Sequence, residues 1–124
     1  MNAQHFSIMV QPRYIPGESD PAAKRYVFAY TITIANVGDE PARLLNRRWL
    51  ITNADGDRRE VKGKGVVGEQ PYIAPGDAFR YTSAAVIETA VGTMQGSYEF
   101  EDDSGELFEV PIPMFSLSVP NAIH

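Results

Sequence analysis

Phe28-Ala29-Tyr30-Thr31-Ile32-Thr33-Ile34-Ala35 is the stretch on which the fold turns. Large apolar side chains take every second position, and small or hydroxylated ones fill the gaps. On an extended strand successive side chains point to opposite faces, so this octet buries one face and leaves the other wetter. A helix would scatter the same residues around its circumference. The period recurs on either side. Phe6, Ile8 and Val10 alternate with Ser7 and Met9. Trp49 and Ile51 share a face. Phe79 and Tyr81 alternate with Arg80 and Thr82. Met94, Gly96, Tyr98 and Phe100 alternate with Gln95, Ser97, Glu99 and Glu101. Phe108, Val110 and Ile112 form a further run, and so do Phe115, Leu117 and Val119.

Turn chemistry separates the runs. Asp55-Gly56 and Asp103-Ser104-Gly105 mark hairpins. Val37-Gly38-Asp39-Glu40-Pro41 and Ala74-Pro75-Gly76-Asp77 are further turns. Ile15 to Pro21 reads as a mobile surface loop. No segment sustains a 3.6-residue period over three turns. Short antiparallel strands without crossover helices bury their apolar faces by stacking two sheets. The pattern therefore predicts an all-β, immunoglobulin-like or fibronectin type III-like sandwich of seven to eight strands in a single domain, residues 1–124, with Trp49 in its core. Without an immunoglobulin cysteine pair, the fibronectin-like version is favoured.

Composition bounds the function. The chain has 124 residues and no cysteine, which excludes disulfides, thiolate metal sites and cysteine nucleophiles. A chain this long folds without such staples. The N-terminus shows neither the basic nor the apolar region of a signal peptide, and no apolar run approaches the ~20 residues of a membrane helix. A cytoplasmic location and no membrane partner are expected. The net charge of −5 disfavours nucleic acid as a partner. The charge is also uneven. Residues 43–80 carry eight basic and five acidic groups, whereas residues 81–124 carry seven acidic groups and no Lys or Arg. Such a polar molecule can orient a partner electrostatically.

Motifs for chemistry are sparse. Gly63-Lys64-Gly65-Val66-Val67-Gly68 has the G-x-G-x-x-G spacing of a dinucleotide fingerprint. That motif works only where it opens a helix, and Pro71 and Pro75 follow. What remains is a glycine-rich loop whose amides could cradle an anion, close in sequence to Arg58, Arg59, Lys62 and Lys64. The alternative is a bend that lets backbones approach closely. Arg47, Arg48, Arg58 and Arg59 read as basic outer residues flanking the Asp55-Gly56 hairpin. His5 and His124 sit on terminal segments near opposite ends, whereas a triad needs a histidine held by a carboxylate beside its nucleophile. No catalytic residue is assigned. Glu99, Glu101, Asp102, Asp103 and Glu106 could meet a hard cation, but carboxylates on a hairpin more simply protect an edge.

Several segments together carry a family likeness: Ile34 to Pro41, Arg48 to Thr52, Gly63 to Pro71, Ala74 to Ser83, and Val91 to Phe100. Over nearly the whole chain they resemble the bacterial ApaG family. The resemblance implies a fibronectin type III-like sandwich. It also implies an indirect link to cobalt resistance and magnesium efflux. The same domain is appended to eukaryotic F-box adaptors, where it is thought to serve protein–protein interaction. The family brings no catalytic residues. Its glycine motif has been connected with nucleotide or pyrophosphate binding, which would fall on Gly63, Gly65 and Gly68. The expected function is thus that of a non-catalytic binding domain. It would need no cofactor or metal, and another protein would be its partner. The contact residues expected are Gly63, Lys64, Gly65, Gly68, Arg58 and Arg59. The alternative ligand is a phosphate or nucleotide held by the same loop.

Overall fold

A computed structural model describes residues 5–120 of the chain. These form eight strands: β1 (Phe6–Tyr14), β2 (Tyr26–Asn36), β3 (Ala42–Asn53), β4 (Arg58–Lys64), β5 (Tyr72–Ile73), β6 (Ala78–Ile87), β7 (Val91–Asp102) and β8 (Leu107–Ser118). One sheet has the order β1-β2-β6. The other runs β4-β3-β7-β8, with β5 pairing β3 beyond the end of β4. Every pairing is antiparallel. The sheets pack face to face, as the alternation requires, and the fold is the expected all-β sandwich.

The apolar sets meet in the middle. Phe28, Ile32, Ile34, Leu44, Met94, Tyr98, Phe100 and Leu117 are fully buried. Phe6 lies on Phe100 at a ring separation of 4.5 Å, and Phe100 stacks on Phe108 at 5.6 Å. Trp49 is buried, edge-on to Phe115 and Tyr30. Burying one such side chain is worth about 1.5–3 kcal/mol. Among the described residues no helix is long and apolar enough to cross a membrane.

Two strands change phase at bulges. In β3 the pairing to β7 shifts between Leu44 and Asn46. In the β7–β8 pair it shifts between Met94 and Gly96, which turns Ile112 and Phe115 to the same face. The two apolar runs of 108–112 and 115–119 thereby join into one strand. The Ile15–Pro21 segment differs from the expected mobile loop. Ser19 Oγ donates to Ile15 O and accepts from the Val27 amide, and Asp20 bridges Arg25, so the segment is fastened to the start of β2.

The hairpins β3–β4 and β7–β8 are built alike. Asn53 Oδ1 accepts the amides of Asp55 and Asp57, and Asp102 Oδ1 accepts those of Ser104 and Glu106. The glycine three residues on has φ of 84° at Gly56 and 85° at Gly105. That is left-handed backbone, which suits glycine. The Ser104 hydroxyl above all holds the Asp102 carboxyl below its ordinary value, and the backbone amides of Glu106 and Ser104 add to this.

Between the sheets three phenols meet. Tyr81 and Tyr98 share a hydrogen bond of 2.5 Å, and Tyr30 lies beside them. Burial pushes all three phenols up, and the neighbouring Tyr81 raises Tyr98 further. A phenol whose folded value exceeds its unfolded value of ~10 stabilises the fold below that pH and loses the contribution as pH rises above it. Alkaline titration is therefore expected to show these three tyrosines ionising only as the domain unfolds, above about pH 10. Absorbance at 295 nm followed beside circular dichroism checks it. Phenolate absorbance from all six tyrosines before any loss of structure would contradict it.

Candidate functional site

β4 is an edge strand, and its sequence explains why it stays one. Arg58, Glu60, Lys62 and Lys64 point to the outer face, and Arg59, Val61 and Gly63 to the inner. A row of charges on an edge discourages indiscriminate pairing with other sheets. Arg58 and Lys64 stand six residues apart along the strand, about 20 Å. The structure thus places the residues expected at one site along a whole edge: Arg58 and Arg59 at one end, Gly63, Lys64, Gly65 and Gly68 at the other. Arg48 Nη2 meets Glu60 Oε2 at 2.8 Å, and Lys62 Nζ reaches the other oxygen at 3.5 Å. The Arg48 hydrogen bond, chiefly, holds the Glu60 carboxyl below its ordinary value. Arg59 Nη2 reaches across to the other sheet and donates to Val86 O at 3.1 Å.

Arg47 departs from the sequence reading. It was expected on the outside, but it lies half-buried on the same side of β3 as Trp49. Its guanidinium occupies the space that the missing side chain of Gly63 leaves. A Cβ there would stand 2.6 Å from the guanidinium carbon. Arg47 Nη1 donates to Gly65 O at 2.9 Å and to Lys64 O at 3.2 Å. Gly63 is thus a slot for an arginine, which the fingerprint reading did not anticipate. The signal was present, because Arg47 keeps the two-residue step with Trp49 and Ile51.

Beyond β4 the glycine loop folds back on the β3 bulge. The Gly65 amide donates to Leu45 O at 2.7 Å, and Gln70 Nε2 donates to the same carbonyl at 2.9 Å. The amides of Val66 and Glu69 donate to each other's carbonyls, with Val66 buried beneath. The tip is Val67-Gly68, with φ of 44° and 83°. A β-branched residue in left-handed backbone is strained. Among the described residues only the Val67 and Gly68 amides of Gly65–Glu69 have no internal acceptor. Arg43 Nη1 closes the loop's far side by donating to Gln70 O at 2.8 Å, and its guanidinium covers the Tyr72 ring.

The outer face of the β4-β3-β7-β8 sheet carries an open concavity of about 420 Å³. Its polar side chains already have partners, Arg48 and Lys62 in Glu60 and Arg47 in the Gly65 carbonyl. Asn46 Nδ2 donates to Glu99 at 2.7 Å, and Ser97 Oγ donates to Glu109 at 3.2 Å. His5 packs beside Gly38, and His124 lies outside the described residues. Among the described residues no three His, Asp or Glu converge to hold a metal ion.

The ApaG domain model matches residues 16–102, which takes in the glycine loop and strands β2 to β7. The chain belongs to the ApaG family. It is 55% identical over 124 residues to Protein ApaG of Salmonella arizonae, covering 100% of this chain and 99% of that one, and equally so to Protein ApaG of Salmonella newport. Among solved structures it is similar to the putative ApaA protein of Bordetella pertussis, with a TM-score of 0.91 and 46% identity over 94% of this chain and 95% of that one. A structural-genomics target solved by X-ray superposes with a TM-score of 0.93 at 41% identity, covering 100% of this chain and 93% of that one. The ApaG name carries no catalytic activity with it.

Proposed function

We propose that this ApaG domain is a non-catalytic protein-interaction module of the cytoplasm, and that its contact surface is the β4 edge with Arg58, Arg59 and Lys64. The observation that carries the reading is electrostatic. β4 gathers Arg58, Arg59, Lys62 and Lys64 on one edge, whereas the opposite end of that sheet, β7 to β8, holds Glu99, Glu101, Asp102, Asp103, Glu106 and Glu109 without any basic residue. A molecule so polarised orients a charged partner before contact. Catalysis finds less support. The concavity of about 420 Å³ on the outer face is lined by polar side chains that already have partners, and no described histidine meets both a carboxylate and a nucleophile. The small-anion reading on Gly63, Gly65 and Gly68 would rest on two amides, Val67 and Gly68, since the other three donate internally. Any part in cobalt resistance or magnesium efflux would then pass through a protein partner.

The test is affinity purification with the wild-type domain and with the double variant Arg58→Glu, Lys64→Glu. A partner retained by the wild type and lost by an equally stable double variant is the expected result. Recovery of the same proteins by both forms would refute the reading. Pyrophosphate at millimolar concentration is expected to leave the amides of residues 62–69 unshifted. Saturable shifts confined to those residues would promote the anion reading instead.

A further inference from the structure

Among the described residues the sandwich has four long sheet edges, and three carry features that hinder strand addition. On β8, Pro111 and Pro113 remove two donors. On β1, Pro12 stands opposite Tyr30 and removes another, and the strand lies against β8. β4 carries its row of charges. β6 is different. Ala78-Phe79-Arg80-Tyr81-Thr82-Ser83-Ala84-Ala85-Val86-Ile87 holds no proline and one charge.

Which groups of β6 face outward follows from its neighbours. An antiparallel ladder alternates bonded and non-bonded pairs. Val27 stands opposite Val86. Its amide donates to Ser19 Oγ and its carbonyl accepts from Ile15, so neither serves β6. Val86 O is met from outside by Arg59. At the other end Asn36 N donates to Asp77 O, which puts the odd-numbered residues of this segment in the bonded pairs. The even positions therefore point their amides and carbonyls to the free side. Thr31 and Thr82, a non-bonded pair in this phase, bring their hydroxyls to 2.8 Å, as the closer approach of such pairs allows. Arg80, Thr82 and Ala84 present N–H and C=O groups without a backbone partner among the described residues. Arg59 ends the open stretch at Val86.

The surroundings choose the occupant. β1 and β8 adjoin at one side of the sandwich, so β6 and β4 flank the other, where Arg59 bridges them. A strand added to β6 would lie beside Arg59 and Arg80, with the inward-facing Arg47 and Val61 across the gap. Of the carboxylates beside this gap, Glu60 accepts from Arg48 and Glu88 from Asn53. A second copy of this chain would set two basic β4 edges against each other, a like-charge juxtaposition that opposes association. Resting on the interaction-module reading, we propose that β6 takes an extended acidic segment of another protein by strand addition, with the backbone of Arg80, Thr82 and Ala84 forming the ladder.

The probe is a blocked octapeptide alternating Glu with Val and Thr, titrated into the full-length labelled domain, with a Lys-for-Glu counterpart as control. The expected result is amide shifts and slowed hydrogen exchange centred on Arg80, Thr82 and Ala84 for the acidic peptide alone. Ala84→Pro removes a donor that the fold does not use, and it is expected to weaken binding by roughly tenfold or more. Arg80→Glu, an exposed change that leaves the ladder intact, is expected to weaken it also. Equal binding of the Lys peptide, shifts away from β6, no shift at millimolar peptide, or a β6-dependent dimer in sedimentation would each overturn the proposal. In the affinity purification, a partner retained by Ala84→Pro but lost on β4 reversal would sink the β6 assignment alone. The absence of any partner would sink the module reading.

Discussion

Gly96→Ala is expected to cost about 3 kcal/mol of unfolding free energy, the upper end of what overpacking does. Gly96 sits in β7 with Trp49 of β3 on one side and Ile112 of β8 on the other. A Cβ at this position would stand 2.0 Å from Arg48 O and 3.2 Å from Trp49 Cα. Both are backbone atoms of a central strand, so no rotamer change relieves the clash. β3 and β7 would have to part, and the register shift next to Gly96 shows that the ladder is already irregular there. The contrast with Gly63 is instructive. A Cβ there meets the far end of the Arg47 side chain, which can swing away. In a domain of this size about 3 kcal/mol lowers the melting temperature by roughly 12 °C. Urea unfolding of both forms measures it. A midpoint within experimental scatter of wild type would show that the strands separate at no cost, and would weaken the claim that β3–β7 packing is rigid.

The fold was legible because its strands are half-buried. Wherever one face meets the core, as in Phe28–Ala35 and Met94–Phe100, the period of two is clear. β4 escapes this rule. Its inner face is Arg59, Val61 and Gly63, with one apolar residue, so only the turn before it announces a strand. β5 is two residues long, too short for any period. The bulges at Leu45 and in the β7–β8 pair break the alternation at points that acquire meaning only with the partner strand in place. The basic residues of the candidate edge could be named from the sequence, but their distribution could not. Closeness in sequence made Arg58 and Lys64 look like one cluster, and an extended strand set them at opposite ends. The glycine spacing was read for its amides. The structure uses Gly63 for the space it leaves and Gly65, at φ of 63°, for its backbone. The openness of β6 was hidden because it is a property of what the other edges have and β6 lacks.

Asn36→Leu keeps the branched heavy-atom skeleton of a fully buried side chain and deletes its polarity, and a loss of about 3–4 kcal/mol is expected. Asn36 Nδ2 donates to Glu40 O at 2.8 Å and to Ile73 O at 3.0 Å, while Oδ1 accepts the Gly38 amide at 2.9 Å. Leucine would leave those three backbone groups unpaired with little water in reach. Each such group costs about 1–3 kcal/mol, although neighbouring costs do not simply add. An exposed pair gives the scale, since removing the Thr31 hydroxyl that meets Thr82 should change stability by about 0.5 kcal/mol or less. The backbone of Asn36 also bonds Gly76 and Asp77, so this residue ties together the 37–40 turn, β5 and the entry to β6. β5 in turn pairs Ala42 and Arg43, and Arg43 holds the end of the glycine loop. The damage should therefore spread along that path. Hydrogen exchange in the variant is expected to quicken at Gly65 and Val66 before it quickens in β7. Uniform acceleration across the domain would mean that Asn36 contributes global stability alone and that the loop does not depend on it.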